Sequence, residues 1–220
     1  MRVVALADVH NNEQLHVPDG DLLLIAGDLT GSGTLRQMAR FSAWLRKLPH
    51  RHKVVIAGNH DFCLDRVNER LEAETMLGGD GIVYLRDQSV TIDGLHIYGS
   101  PWQPWFHDWA FNLSRGPEIR QKWDQIPEKV DIFLVHGPPQ GFGDLTSRGE
   151  HAGCEEMLVA LERQRPRVTF FGHIHEAPGT WLHQGLTFVN CTVGDIHFPG
   201  SRTEEGGPVT MDIEPRSGPF

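Results

Sequence analysis

The stretch Val168-Thr169-Phe170-Phe171-Gly172-His173-Ile174-His175 decides how this chain is read. A four-residue apolar or β-branched run stops at a glycine and is followed by two histidines. Runs of this length, rich in Val, Ile, Leu and Phe, suit strands buried on both faces. The same form recurs elsewhere. Val3 to Ala7 is followed by Asp8-Val9-His10, and Leu22 to Ala26 by Gly27-Asp28. Val54 to Ala57 is followed by Gly58-Asn59-His60-Asp61, and Ile132 to Val135 by His136-Gly137. Glycine at such places suits tight turns and close backbone approach.

Helical patterns separate several of these runs, over Leu35 to Leu48, Pro117 to Gln125 and Cys154 to Gln164. In the first, Leu35, Met38, Phe41, Leu45 and Leu48 follow the three-to-four residue spacing of an apolar stripe. Ile82 to Leu85, Val90 to Ile92 and Leu95 to Tyr98 read as antiparallel strands, the last two joined by an Asp93-Gly94 turn. Thr180 to Leu182, Leu186 to Val189 and Val209 to Ile213 repeat that style, and Gly200 to Gly207 reads as a polar loop. The order predicts a layered α/β domain with two sheets. With no internal repeat and no long linker, residues 1–220 read as a single domain.

In open α/β sheets, ligands bind outside the carboxyl ends of the strands. The polar residues after the five runs are therefore expected to converge. Asp8 and His10 are two apart, as are His173 and His175, so extended backbone would point each pair the same way. Taken singly, an Asp or Asn after a strand is a turn former or cap. Five such ends in register point instead to a metal site. Imidazole and carboxylate donors suit Mn, Fe, Zn, Co or Ni rather than a thiolate-bound ion. Asp8, His10, Asp28, Asn59, His136, His173 and His175 make seven donors, more than one tetrahedral ion takes. Seven fit two ions sharing one bridging carboxylate, the arrangement of two-metal hydrolytic sites.

Composition limits the partners. Lys plus Arg is 20 and Asp plus Glu is 29, giving a net charge of −9. Such a chain is not built to neutralise the phosphates of an extended nucleic acid. The hydrophobic fraction of 39% with 22% charged residues excludes a disordered protein. No run nears the roughly 18 apolar residues of a membrane helix, and Met1 to Asp8 lacks the regions of a signal peptide. Cys63, Cys154 and Cys191 have no metal-type spacing and read as small buried apolar residues in a reducing compartment. The expected location is the cytoplasm, away from membranes. The triplets Asn112-Leu113-Ser114 and Asn190-Cys191-Thr192 then read as chance matches to a glycosylation pattern.

These residues, in this order, resemble the calcineurin-like metallophosphoesterase superfamily. Its pattern is D-x-H, then G-D, then G-N-H-[ED], then H, then G-H-x-H, and all five blocks are intact between residues 8 and 175. A narrower resemblance is to the subgroup of metallophosphoesterase domain-containing proteins. It rests on Gly99 to Phe106, Trp109-Ala110-Phe111-Asn112, His136-Gly137-Pro138-Pro139, His151-Ala152-Gly153-Cys154 and Phe171 to Glu176. The resemblance implies a four-layer αββα sandwich with two mixed β-sheets. It implies a first ion on Asp8, His10 and His175, a second on Asn59, His136 and His173, and Asp28 bridging them. It also implies that His60 is not a ligand but the catalytic residue, placed at the substrate phosphate. The implied reaction is attack on phosphorus by a hydroxide between the ions, with His60 assisting.

The expected substrate is a small phosphodiester, including cyclic nucleotides. The alternatives are a phosphomonoesterase or protein phosphatase on the same site, or a non-catalytic scaffold on this fold. Two readings stay open for Asp61, which either orients His60 or caps the next helix. Two also stay open for the segment from Trp102 to Leu113, which is either a packed flap or a surface on which a base stacks. Arg148 and His151, in a polar loop after His136, read either as phosphate contacts or as solvated loop residues, and His107, His183 and His197 are further candidates with no motif support.

Overall fold

The computed structural model describes residues 1–194 and 206–215. His197 and most of the segment from Gly200 to Gly207 lie outside them. The first half builds β1 (Arg2–Leu6), β2 (Leu22–Ala26), α1 (Leu35–Lys47), β3 (His52–Ile56), α2 (Phe62–Asp65), α3 (Arg70–Met76) and β4 (Ile82–Tyr84). A middle segment adds β5 (Gln88–Ile92), β6 (Leu95–Ser100) and two short strands, β7 (Gln103–Pro104) and β8 (Asn112–Leu113). The second half adds α4 (Pro117–Trp123), β9 (Ile132–Val135), α5 (Glu155–Gln164), β10 (Val168–Phe171), β11 (Gly179–His183), β12 (Leu186–Asn190) and β13 (Val209–Asp212).

The strands form two large mixed sheets. The first has the order β13-β1-β2-β3-β4, the second β11-β12-β10-β9-β6-β5, and β7 pairs with β8 apart from both. Alternation along the buried strands explains why the sheets stack. Val3, Ala5, Leu22, Leu24, Val54 and Ile56 face Ile97, Ile132, Leu134, Phe170 and Val189 of the other sheet. Their neighbours Val4, Leu6, Leu23, Ile25 and Val55 point outward onto Met38, Phe41, Trp44 and Leu45 of α1. On the opposite side Phe133, Val135, Phe171 and Phe188 cover Ile119 and Trp123 of α4 and Met157 and Leu161 of α5. Side chains that alternate between two apolar environments leave each sheet buried on both faces. The result is the expected αββα sandwich.

Local chemistry sets the helix limits. Thr34 caps α1, its side chain accepting from the Gln37 N–H while Gln37 reaches back in a capping box. α1 stops one residue before the expected end, because Leu48 precedes Pro49 and is extended (φ −70°, ψ 138°). One strand differs from expectation. β4 is not part of an antiparallel set but pairs parallel to β3 at the edge of the first sheet. The connection through α2 and α3 is a crossover, and a crossover returns the chain parallel. The β5–β6 hairpin is antiparallel as expected, with Asp93 and Gly94 at positive φ. The three cysteines are buried and unpaired. No helix among the described residues is long and apolar enough to cross a membrane.

Candidate metal centre

β1, β2 and β3 run parallel in one sheet, and β9 and β10 run parallel in the other. Their carboxyl ends meet where the sheets touch. The Val193 N–H donates to the Ala7 carbonyl there at 3.0 Å, the Ala7 N–H donates to the Cys191 carbonyl at 2.9 Å, and the Ala26 carbonyl accepts from His136 Nδ1 at 2.9 Å. All eight predicted site residues are brought to this place. Asp8, His10 and His136 are fully buried, and Asp28 and Asn59 are nearly so.

The backbone route differs from the expected one. Asp8, His10, Asp28 and His173 all have positive φ, at 62°, 45°, 51° and 69°. These residues are therefore not on extended chain. Each is a left-handed turn residue that swings its side chain back toward the strand ends. Asp, Asn and His tolerate this region better than most residues, at a cost of order 1–3 kcal/mol each. Gly172 is required for the same packing, because a Cβ there would collide with the Asp8 carboxylate and Ala7. With the glycine in place, Asp8 accepts from the His173 N–H at 3.1 and 3.2 Å.

Asp28 is at the middle. Its Oδ1 accepts from the His60 N–H at 2.8 Å. Its Oδ2 lies 3.4 Å from His136 Nε2, 3.7 Å from His10 Nε2 and 3.9 Å from His60 Nε2. His175 Nε2 lies 3.3 Å from Asp8 Oδ1, and His136 Nε2 lies 2.8 Å from Asn59 Oδ1. His173 stands edge-on to His136, ring centroids 5.1 Å apart. Burial alone would raise both aspartates. The His175 imidazole beside Asp8, and that of His136 beside Asp28, outweigh it and hold both carboxyls well below the usual range. The reciprocal effect acts on His136, where burial is overcome by Asp28 and the ring is raised to about 9. His173 goes the other way, lowered to about 3 by burial and the neighbouring His136.

The donor set fits metal ions. Two donors held tetrahedrally about 2.1 Å from an ion lie about 3.4 Å apart. The His175–Asp8 separation of 3.3 Å and the His136–Asp28 separation of 3.4 Å have that span. Asp8, His10 and His175 form one group with ligand atoms all within 4.8 Å of one another, and Asp8, Asp28 and His136 form another. The His136 ring donates its far nitrogen to a main-chain carbonyl, the usual orientation for a metal-bound imidazole.

His60 is oriented like His136, and it lies in a third such group with His10 and Asp28. Its Nδ1 faces the Gly31 carbonyl at 2.7 Å, so that nitrogen carries the proton and Nε2 is turned toward Asp28. Trp109 packs edge-on against the same ring, centroids 4.1 Å apart. Asp61 fits neither reading made from sequence. It makes no cap bond to α2. Its carboxylate instead accepts from the Leu29, Thr30 and Gly58 N–H groups and the Thr30 hydroxyl. Asp61 thus ties the Asp28 turn to the Asn59-His60 turn.

The aromatic segment divides. Trp102 and Phe111 are packing residues, in mutual edge contact at 5.5 Å, with Trp102 Nε1 donating to Asp87 at 2.9 Å. Phe106 is 45% exposed and stands edge-on to His173 at 5.4 Å. A cavity of about 340 Å³ opens over Asp28, Asn59, His60, His173 and His175. Phe106 and His107 line one part of it, and Thr146, Ser147, Arg148 and Glu150 another. Arg148, one of the two loop residues expected at phosphate, and His107 do line the cavity, while Thr146, Ser147 and Glu150, which carry no motif, were not foreseen. His151 is turned away to the buried Asp144 at 2.8 Å, and His183 pairs with Glu162 at 2.7 Å, so neither lines this cavity.

Two stacked mixed sheets, with Asp, Asn and His on the ends of parallel strands, define a metallophosphoesterase architecture. Residues 1–177 match the calcineurin-like phosphoesterase family, and the chain belongs to it. It is 38% identical over 219 residues to the human metallophosphoesterase domain-containing protein 1, covering 90% of this chain and 67% of that protein. It is 26% identical over 202 residues to a probable cyclic nucleotide phosphodiesterase of Synechococcus sp., covering 89% of this chain and 72% of that protein. Among solved structures, the phosphopantetheinyl hydrolase of Mycobacterium tuberculosis aligns with a TM-score of 0.63 at 16% identity, over 99% of this chain and 98% of that one. That last likeness is one of fold alone.

Proposed function

We propose that this protein is a dinuclear-metal phosphodiesterase acting on small cyclic nucleotides or similar diesters. The observation that carries the reading is Asp28, whose one carboxylate oxygen faces the imidazoles of His10, His60 and His136 at 3.4–3.9 Å. Asp8, His10 and His175 would hold one ion, Asn59, His136 and His173 the other, and Asp28 both. Mixed imidazole and carboxylate donors accept Mn, Fe, Zn, Co or Ni. Bound ions supply charge that lowers the pKa of a water nucleophile and neutralises phosphoryl oxygens. His60, protonated on Nδ1 by its bond to Gly31, offers Nε2 to the leaving oxygen as a general acid when that nitrogen too is protonated.

The diester preference is supported by the likeness to the probable cyclic nucleotide phosphodiesterase of Synechococcus sp. and by the partly exposed Phe106 ring at the cavity edge. A flat leaving group could lie on that ring. The cytoplasm is the proposed location, supported by three free buried thiols. The test is metal analysis of the purified protein with a substrate panel of 2′,3′- and 3′,5′-cyclic nucleotides, aryl diesters and aryl monoesters. Two ions per chain, chelator-sensitive turnover and faster diester than monoester cleavage are expected. Faster monoester cleavage would make it a phosphomonoesterase. Two bound ions without turnover would make it a scaffold.

A further inference from the structure

Asn190 ends β12, and its place beside Phe171 is set by the parallel pairing of β12 with β10. Phe171 is the last residue of β10, so a side chain at 190 reaches past that strand into the turn that follows. Asn190 is 1% exposed. Its Nδ2 donates to the Ile174 carbonyl at 2.9 Å and to the Gly143 carbonyl at 3.1 Å. Its Oδ1 accepts from the Thr192 N–H at 3.1 Å. Ile174 lies between His173 and His175. Gly143 opens the segment that carries Thr146, Ser147 and Arg148 to the cavity wall. That segment is pinned at its base, where the buried Asp144 carboxylate accepts from the Gly141 and Gly153 N–H groups.

We propose that Asn190 is a positioning residue, whose amide holds the His173–His175 turn in register with the 143–153 wall of the cavity. The assignment rests on the two-metal reading above. A primary amide at this reach supplies two donors and one acceptor, and all three are used. Aspartate has no donor to offer two carbonyl oxygens, and alanine leaves the Gly143 carbonyl and the Thr192 N–H without this partner. Ile174 keeps a second bond, from the Ala177 N–H, so the turn is expected to loosen rather than unfold. The same burial removes Asn190 as a glycosylation acceptor, despite the Asn190-Cys191-Thr192 pattern.

The test is Co²⁺ binding to metal-free wild type, Asn190→Asp and Asn190→Ala, read by competition with a chelating dye and by the visible absorption of the bound ion. Loss of an outer-shell partner typically weakens metal binding or activity by about 10–100-fold. Both variants should lose Co²⁺ affinity in that range and show altered ligand-field bands, with far-ultraviolet dichroism of the metal-free state unchanged. Wild-type affinity and spectrum in a folded variant would overturn the assignment. If Asn190→Ala fails to fold, Asn190→Ser, which keeps one donor and one acceptor, carries the same comparison and should lie between. Failure of the wild type to bind Co²⁺ would sink the two-metal reading and this assignment with it. Binding by wild type and variants alike would sink the role of Asn190 alone.

Discussion

The Asp61 carboxylate accepts a hydrogen bond from the Thr30 hydroxyl at 2.7 Å, across 31 residues of chain. The same carboxylate takes the Thr30 N–H at 2.9 Å and the Gly58 N–H at 2.8 Å, so one buried acid organises two turns of the site. Each buried donor left unsatisfied costs about 1–3 kcal/mol. Asp61→Ala is expected to lose about 3–5 kcal/mol of stability, read from urea unfolding, because several donors lose their acceptor together. Thr30→Val removes one bond and should cost about 1 kcal/mol. Equal losses for the two would show that the carboxylate is not the hub.

His60 should separate metal binding from turnover. His60→Ala is expected to retain the wild-type metal content, because His60 is not among the seven proposed ligands. Its kcat should fall by about 10²–10⁴, the range of a positioned general acid. Trp109→Ala removes the edge contact with that ring. An aromatic pair is worth about 0.5–1.5 kcal/mol, so its kcat loss should be nearer tenfold. An unchanged kcat in His60→Ala would take the residue out of the mechanism.

Gly172→Ala places a methyl group against the Asp8 carboxylate and Ala7. The displaced Asp8 can no longer accept from His173, and both move together. Chelator competition should show metal affinity reduced by more than tenfold, at the strong end of outer-shell effects. A folded variant that still holds two ions at wild-type affinity would be the contrary result.

The metal-free protein should lose stability as pH rises from 6.5 to 9. His136 is raised from 6.5 to about 9 in the folded state. A raised imidazole contributes stability that is complete below 6.5 and is lost as pH climbs through about 9. The aspartates act at the other end. Asp8 and Asp28 lie below their ordinary 3.8, so their contribution is present above 3.8 and fades as pH falls through their lowered values. Asp61 opposes them between 3.8 and about 6, being raised by burial and by Asp28. His173, lowered to about 3, stays neutral above 6.5. Melting temperatures in chelator at pH 6.5, 7.5 and 8.5 should therefore decline, as the unfolding free energy falls by at most about 1.4 kcal/mol per pH unit. Added Mn²⁺ replaces the His136 proton and should flatten the profile. A level profile in chelator would count against this coupling.

Much of the site was legible because its parts are local. Each donor follows a short apolar run by one to four residues, and that spacing survives any error in strand limits. The residues that organise the donors were less legible. Asp61 looked like a cap or a partner of His60, since sequence cannot say that its acceptors face Leu29 and Thr30. Asn190 looked like a chance glycosylation pattern. Thr146, Ser147 and Glu150 carry no pattern at all, and only the fold of the 143–153 segment brings them to the cavity.

By itself the sequence determined the main strands, the helices α1, α4 and α5, their buried faces and the eight residues to watch, but not α2, α3, β7 or β8, because periodicity and donor chemistry are properties of neighbouring positions. Tertiary structure alone decided the parallel placement of β4, the left-handed turns at Asp8, His10, Asp28 and His173, and the division of the aromatic segment. Those features depend on contacts such as His173 with Asp8 across 165 residues and His136 with Ala26 across 110. A turn is driven into a strained region only when distant packing supports it, and no local pattern records that packing.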